Sequence, residues 1–357
     1  MHAMRDVRIL RVAARDHLSV HPDLAVDLAP AGQLAGTPSW VESSGRWGPT
    51  MGSVDSYAAV TGGHAPLGAQ EWPARRVPVA GVDLHVRDAP GAAADLPPAL
   101  FVHGLGGSSL NWTALGLLLN DTVRGIAPDL PGFGRTPLAG AAGINEQVDV
   151  LIELLERETD QPVHLFGNSM GGATSVALAA RRPDLVASLT LISPALPHPR
   201  ASASALWFAA VATPRLGQVV LTRTRQLPFD RRFQASLAMV FGDPRSLPAE
   251  VTAAYEAELR RRDTDPWGML ATVQGARSIL RSSLAPPRRS LWADAAKVEC
   301  PVLLIYGGKD RLVDARIRTK AQRHFRDARL LYLPQSGHVA QMEHPEHVER
   351  AFRQLIG

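Results

Sequence analysis

A serine between two glycines, placed where an apolar run gives way to a helix of small residues, constrains this chain's fold more than any other feature. The run is Val163-His164-Leu165-Phe166, the motif is Gly167-Asn168-Ser169-Met170-Gly171, and Gly172-Ala173-Thr174-Ser175-Val176-Ala177-Leu178 follows. The run reads as a buried parallel strand and the segment after the motif as a helix. So tight a turn strains the serine backbone, and a Cβ at either glycine would meet the strand or the helix. This is the G-x-S-x-G nucleophile elbow, which lifts the hydroxyl above the sheet at the positive end of a helix dipole. The same letters can mark a plain loop; the strand before and the helix after favour the elbow.

The rest of the chain alternates strands and helices. Arg76-Val77-Pro78-Val79 and Val82-Asp83-Leu84-His85-Val86 read as a strand pair joined through Gly81. Ala99-Leu100-Phe101-Val102 is a short apolar strand ending at His103-Gly104, with a helix over roughly 109–119. Val123-Arg124-Gly125-Ile126-Ala127 closes on Asp129-Leu130-Pro131-Gly132-Phe133-Gly134. An amphipathic helix with Val148, Leu151, Ile152 and Leu155 on one face comes next. Leu189-Thr190-Leu191-Ile192, Val302-Leu303-Leu304-Ile305-Tyr306 and Arg329-Leu330-Leu331-Tyr332-Leu333 complete the strands. Such alternation implies an α/β fold: a mainly parallel central sheet with helices on both faces and ligands bound at the strands' carboxyl ends.

Two segments break the pattern. Residues 1–70 include a Gly-, Ala-, Pro- and Ser-rich stretch without a sustained period, which reads as a flexible extension with the sheet beginning near Arg76. Met51 offers an internal start. Residues 197–298 carry Trp207, Phe208, Phe229, Phe233, Phe241, Tyr255, Trp267 and Trp292, some at helical spacing. They read as a helical lid inserted between core parts 71–196 and 299–357, with most aromatics forming the lid's own core.

A serine nucleophile needs a base and a group to orient that base. His338 follows the last strand in Pro334-Gln335-Ser336-Gly337-His338, on a loop returning to the carboxyl edge. His164 is mid-strand, and His344 and His347 flank the final helix start. The acid follows a strand in Gly307-Gly308-Lys309-Asp310-Arg311-Leu312-Val313-Asp314: Asp310 comes after the Gly-Gly turn, with Asp314 as runner-up or as the start of the next helix. An oxyanion hole needs two backbone N–H groups. Met170 supplies one as the residue after the nucleophile, and Leu105 in His103-Gly104-Leu105-Gly106-Gly107 the other. That loop fails the dinucleotide-binding G-x-G-x-x-G spacing at Ser109. His103 reads as a structural hydrogen-bonding group beneath the loop.

The order Ser169, Asp310, His338, together with the His-Gly loop, the Gly-Gly-Lys-Asp turn, the Ser-Gly-His loop and the Asp129 to Gly134 element, resembles the α/β-hydrolase fold from about Arg75 to the C-terminus. The resemblance implies a lid-bearing serine esterase. The elbow is similar to that of the meta-cleavage-product hydrolases, which cut carbon–carbon bonds in dienoates. Three departures separate it from them: Leu105-Gly106-Gly107 stands in place of Gly-Pro-Gly, Val339 in place of tryptophan after the histidine, and Tyr255 near the position of the lid arginine. Arg260, Arg261 and Arg262 could substitute for that arginine. Serine at the elbow, rather than aspartate, disfavours epoxide hydrolases and haloalkane dehalogenases. The reading is an esterase of small apolar or aromatic substrates, with carbon–carbon hydrolysis as the alternative and a non-catalytic hydrolase-like receptor as a further class. Asn168 and Tyr255 are expected at the substrate site, and this chemistry calls for no cofactor and no metal.

Composition narrows the partners. Lys and Arg total 38 against 34 Asp and Glu, leaving +4 on 357 residues with scattered basic groups, which argues against nucleic acid. The single cysteine, Cys300, cannot form an internal disulfide and reads as a small buried hydrophobe. No apolar stretch approaches the ~20 residues that span a bilayer, and the basic N-terminus lacks the apolar segment of a signal peptide. A cytoplasmic protein acting on a small molecule is the expectation.

Overall fold

The computed structural model describes residues 39–41, 72–198, 203–213 and 215–357. Among them are nine strands: β1 (Ser39–Val41), β2 (Ala74–Val79), β3 (Val82–Asp88), β4 (Pro98–Val102), β5 (Arg124–Pro128), β6 (Val163–Asn168), β7 (Val186–Ile192), β8 (Val302–Gly307) and β9 (Ala328–Leu333). They form one sheet in the order β1-β9-β8-β7-β6-β4-β5-β3-β2. The pairs from β5 through β4, β6, β7 and β8 to β9 are parallel, while β2–β3, β3–β5 and β1–β9 are antiparallel.

Alternation along β4 shows why the sheet is covered twice. Leu100 and Val102 join the cluster that holds Leu151 and Leu155 of α2 (Ile144–Glu158) and Val176 of α3 (Met170–Arg181). Ala99 and Phe101 face the other way, toward Leu115 of α1 (Thr113–Leu118) and Phe352 of α12 (Pro345–Ile356). Successive side chains point to opposite faces, so a strand apolar at every position needs helices on both sides.

β1 differs from expectation. Ser39, Trp40 and Val41 pair with Tyr332, Leu331 and Leu330, so an edge strand of the sheet comes from the extension rather than the sheet beginning near Arg76. The remainder of residues 1–70, Met51 included, lies outside the described residues.

Between β7 and β8 lie α4 (Ala203–Ala212), α5 (Leu216–Arg225), α6 (Phe229–Val240), α7 (Ala249–Asp263), α8 (Gly268–Ser283) and the short α9 (Leu291–Ala295). Two small clusters hold this insertion. Val211 and Ala212 meet Val273 and Ala276, while Phe233, Leu237 and Phe241 meet Val339. Helix α9 does not belong with it: Leu291, Trp292, Ala295 and Val298 pack into the main core beside α3. The insertion therefore closes before α9 rather than at residue 298, because periodicity reveals an apolar face without revealing what covers it. After β8 come α10 (Arg318–His324) and, after β9, the short α11 (Ala340–Glu343). Among the described residues no helix is long and apolar enough to cross a membrane. Cys300 is partly buried, and burial pushes its thiol up to about 11.

Candidate active site

The elbow is built by close backbone approach. Ser169 links β6 to α3 with φ 54° and ψ −118°, a left-handed conformation costly for any residue with a Cβ. Three main-chain bonds hold it there: Ser169 N–H donates to Ile192 O at 3.1 Å, and Ser169 O accepts from Ala173 at 3.0 Å and Ala195 at 2.9 Å. A Cβ at Gly171 would stand 2.3 Å from the Val102 carbonyl oxygen, and one at Gly167 2.7 Å from the Gly171 oxygen. Glycine is required at both positions for that reason.

The loop after β4 lies against the serine. A Cβ on Gly104 would sit 3.0 Å from Ser169 Cβ. His103 anchors this loop from below: its Nε2 accepts from Leu130 N–H at 2.9 Å, so Nδ1 carries the proton and donates to Gly104 O at 2.8 Å. Complete burial lowers its pKa, consistent with that neutral tautomer. Asp129 ties the neighbouring loop in turn. Its carboxylate accepts from Ser109 N–H at 2.6 Å and Arg135 N–H at 2.8 Å, with His85 Nδ1 2.9 Å away. Burial alone would raise the Asp129 pKa, but the histidines and main-chain donors hold it well below the carboxylate range.

His338 and Asp310 meet at the ends of β9 and β8. His338 Nδ1 is 2.9 Å from Asp310 Oδ2, and Asp310 Oδ1 accepts from Leu312 and Val313 N–H at 2.8 and 2.9 Å. Burial pushes the Asp310 pKa up, while the charge and hydrogen bond of His338 and the Val313 N–H together hold it low. With Nδ1 bound to an ionised carboxylate, Nε2 is the nitrogen left to accept a proton. Asp314 instead caps the turn at Ala315–Ile317 by accepting from Arg316 N–H.

A cavity of about 190 Å³ brings the candidates together. Ser169, His338, Leu105, Asn168 and Tyr255 all line it. Met170 is buried as the first residue of α3, where N–H groups have no intrahelical acceptor. Asn168 reaches the cavity with its amide nitrogen already committed, donating to Ile192 O and His338 O at 3.0 Å each. It braces the histidine loop, a role its place in the motif did not signal. Tyr255 meets Ser236 through a 2.6 Å hydroxyl contact, and burial raises its pKa.

One further group was not legible in the sequence. Glu343 sits in α11, where one carboxylate oxygen accepts from Gly242 N–H at 2.8 Å and the other from Gly337 N–H at 2.8 Å. No motif marked it. The three lid arginines also separate. Arg260 pairs with Glu256 and Arg261 with Glu258 and Asp265, while Arg262 lines the cavity.

The family model described as alpha/beta hydrolase fold matches residues 97–345. A dihydrolipoyllysine-residue acetyltransferase component of the acetoin cleaving system of Pseudomonas putida is 31% identical over 256 residues, covering 71% of this chain and 61% of that protein's length. A pimeloyl-[acyl-carrier protein] methyl ester esterase of Neisseria meningitidis is 28% identical over 71% of this chain and 91% of that protein. Among solved structures, a 2-hydroxy-6-oxo-6-phenylhexa-2,4-dienoate hydrolase from Rhodococcus matches with a TM-score of 0.66 at 22% identity, over 80% of this chain and 99% of that one.

Proposed function

The chain belongs to the alpha/beta hydrolase fold family, and from that premise we propose that it is a serine hydrolase cleaving carboxylic esters through an acyl-enzyme. The observation that carries this reading is a strained Ser169 sharing a cavity with His338, whose other ring nitrogen meets the buried Asp310 carboxylate. In the proposed reaction Ser169 Oγ attacks the ester carbonyl while His338 Nε2 takes its proton. The carbonyl oxygen gains charge and is met by the N–H groups of Leu105 and Met170, each worth roughly 3 kcal/mol in the barrier. The carbon–oxygen bond then breaks, and His338 returns the proton to the leaving alcohol. Water, deprotonated by the same nitrogen, attacks the acyl-serine; the acyl carbon–Oγ bond breaks, His338 returns the proton to Ser169 Oγ, and the acid is released. Asp310 holds the imidazole tautomer throughout. The similarity to a methyl ester esterase supports an ester bond as the target.

Labelling with a fluorophosphonate tests the assignment. The adduct should map to Ser169, and replacing Ser169 or His338 by alanine should lower kcat on a p-nitrophenyl ester by roughly 10⁴–10⁶. Asp310→Asn should cost less, on the order of 10⁴. An adduct on a different serine would reject the reading. A dienoate ring-fission product assayed beside the ester distinguishes carbon–carbon hydrolysis from ester hydrolysis.

A further inference from the structure

The cavity at Ser169 adjoins a second one. This second chamber, of about 350 Å³, lies among α5, α6, α7 and α8 and reaches the loop of Gly132, Phe133 and Gly134. Leu221, Leu227 and Met269 line it without lining the first, whereas Ser169 and His338 line only the first. Arg262, Trp207, Met239, Leu259, Ser236, Thr272 and Gly107 line both, so a substrate reaching from Ser169 into the second chamber passes Arg262 among apolar and hydroxyl groups.

Arg262 differs from the other charged groups along that path in being both half-buried and unpaired; Arg231, which also lines the second chamber without an ion pair among the described residues, is exposed. In the second chamber Arg232 pairs with Asp263 at 2.6 Å, Asp265 is held by Arg261 at 2.9 Å, and Arg225 donates to the Arg262 carbonyl at 3.2 Å. Glu258 in the first chamber is also held by Arg261, at 2.7 Å. Every carboxylate lining either chamber is thus paired with Arg232 or Arg261 rather than with Arg262. The Arg262 guanidinium has no ion pair and no hydrogen bond among the described residues. It is half-buried and laid over the loop that holds Leu105, where a Cβ on Gly106 would come within 2.4 Å of its Nη2. A half-buried guanidinium with unused donors, where the two chambers share their lining, is complementary to a planar anion that accepts two parallel hydrogen bonds.

We propose that Arg262 is a carboxylate-binding subsite: the substrate is an ester whose acid half carries a free carboxylate held at the junction of the two chambers, with any apolar remainder in the second chamber. The proposal rests on the esterase reading and narrows it from carboxylic esters in general to hemiesters of dicarboxylic acids. The anion is neutralised outside the reacting bond, so its contribution appears mainly in binding and in kcat/KM.

The test compares p-nitrophenyl hemiesters of succinic, glutaric and adipic acids with neutral p-nitrophenyl esters of matching acyl length. At least one hemiester should exceed its neutral counterpart in kcat/KM. The hemiester-to-neutral ratio should fall by about 10–100-fold in Arg262→Gln, chiefly through KM, with partial recovery in Arg262→Lys, which keeps charge but loses the fork. Free glutarate should inhibit neutral-ester turnover by the native protein more strongly than by Arg262→Gln. This comparison needs only residual activity in the variant. No hemiester preference in the native protein, or an equal loss on both substrates in Arg262→Gln, overturns the subsite; equal loss would mean that Arg262 merely supports the Gly106 loop. Neither result touches the esterase reading, which fails separately if Ser169 takes no fluorophosphonate and neither ester class is turned over.

Discussion

The main-chain N–H of His338 donates to the carbonyl oxygen of Val240, 2.8 Å away, so the proposed base hangs from the end of a helix in the insertion. The two segments touch with no room between them: a Cβ on Gly337 would lie 2.4 Å from Gly242 N, and one on Gly242 2.3 Å from Gln335 O. Glu343 bridges them by accepting from both glycine N–H groups, and burial raises its pKa. We expect Glu343 to be a positioning residue. Glu343→Ala should lower kcat by roughly 10–100-fold with a smaller change in KM, as expected when a reacting group moves by about 1 Å. Glu343→Gln keeps one acceptor and should recover much of that loss. A fall in thermal stability with kcat intact would assign Glu343 a purely structural role.

Asp129 predicts the acid side of the stability profile. Its folded pKa is depressed, so between that value and the unfolded value of about 3.9 the unfolded chain binds more protons. Stability from this group is therefore complete above about pH 4 and is lost as pH falls through the window below. Asp129→Asn should cost about 3 kcal/mol near pH 7, because it strips a fully buried carboxylate from its partners. It should also flatten the acid limb. Urea titrations at pH 7 and in acid check both statements, and an unchanged acid slope would contradict them.

Gly171→Ala tests the elbow without touching a polar side chain. The added methyl would meet two backbone oxygens, those of Val102 and His103, at 2.3 and 2.4 Å. Backbone cannot rotate away as a side chain can, so a loss of about 1–3 kcal/mol or more is expected. The rate of fluorophosphonate labelling in the folded variant should fall as well, because the shift moves Ser169 relative to the loop at Gly104. Labelling at the native rate would show that the elbow tolerates a Cβ there.

Deletion of the extension should separate activity from solubility. Removing residues 1–70 takes away β1 and uncovers the edge of β9, where Leu330, Leu331 and Tyr332 pair with it. Exposed strand edges promote association. Turnover of a small ester should stay within a few-fold, while light scattering and size-exclusion profiles show aggregation absent from a chain that begins at Gly36. Equal solubility of the two truncations would show that β1 contributes nothing to covering the edge.

The α/β-hydrolase fold, its strands β2 to β9 and the placing of Ser169, Asp310 and His338 at strand ends were readable from local signals. The central strands are largely apolar runs, each candidate follows a strand end, and the glycines at 167 and 171 mark a turn that tolerates no Cβ. What could not be read depends on contacts between distant segments. Trp292 belongs to the main core rather than to the insertion, Ser39–Val41 joins the edge beside β9, and the Asn168 amide holds the His338 carbonyl. Glu343 and Arg262 are an ordinary helix glutamate and one arginine of three in sequence. They differ from their neighbours only because the fold lays 240–242 on the histidine loop and α7 over Gly106. Sequence determines which backbone turns are possible and where reactive groups sit on strand ends, since those follow from bonds and sterics within a few residues. Tertiary structure alone decided which carboxylates found partners and which half-buried guanidinium did not, because ion pairing depends on distances between elements that local sequence does not encode.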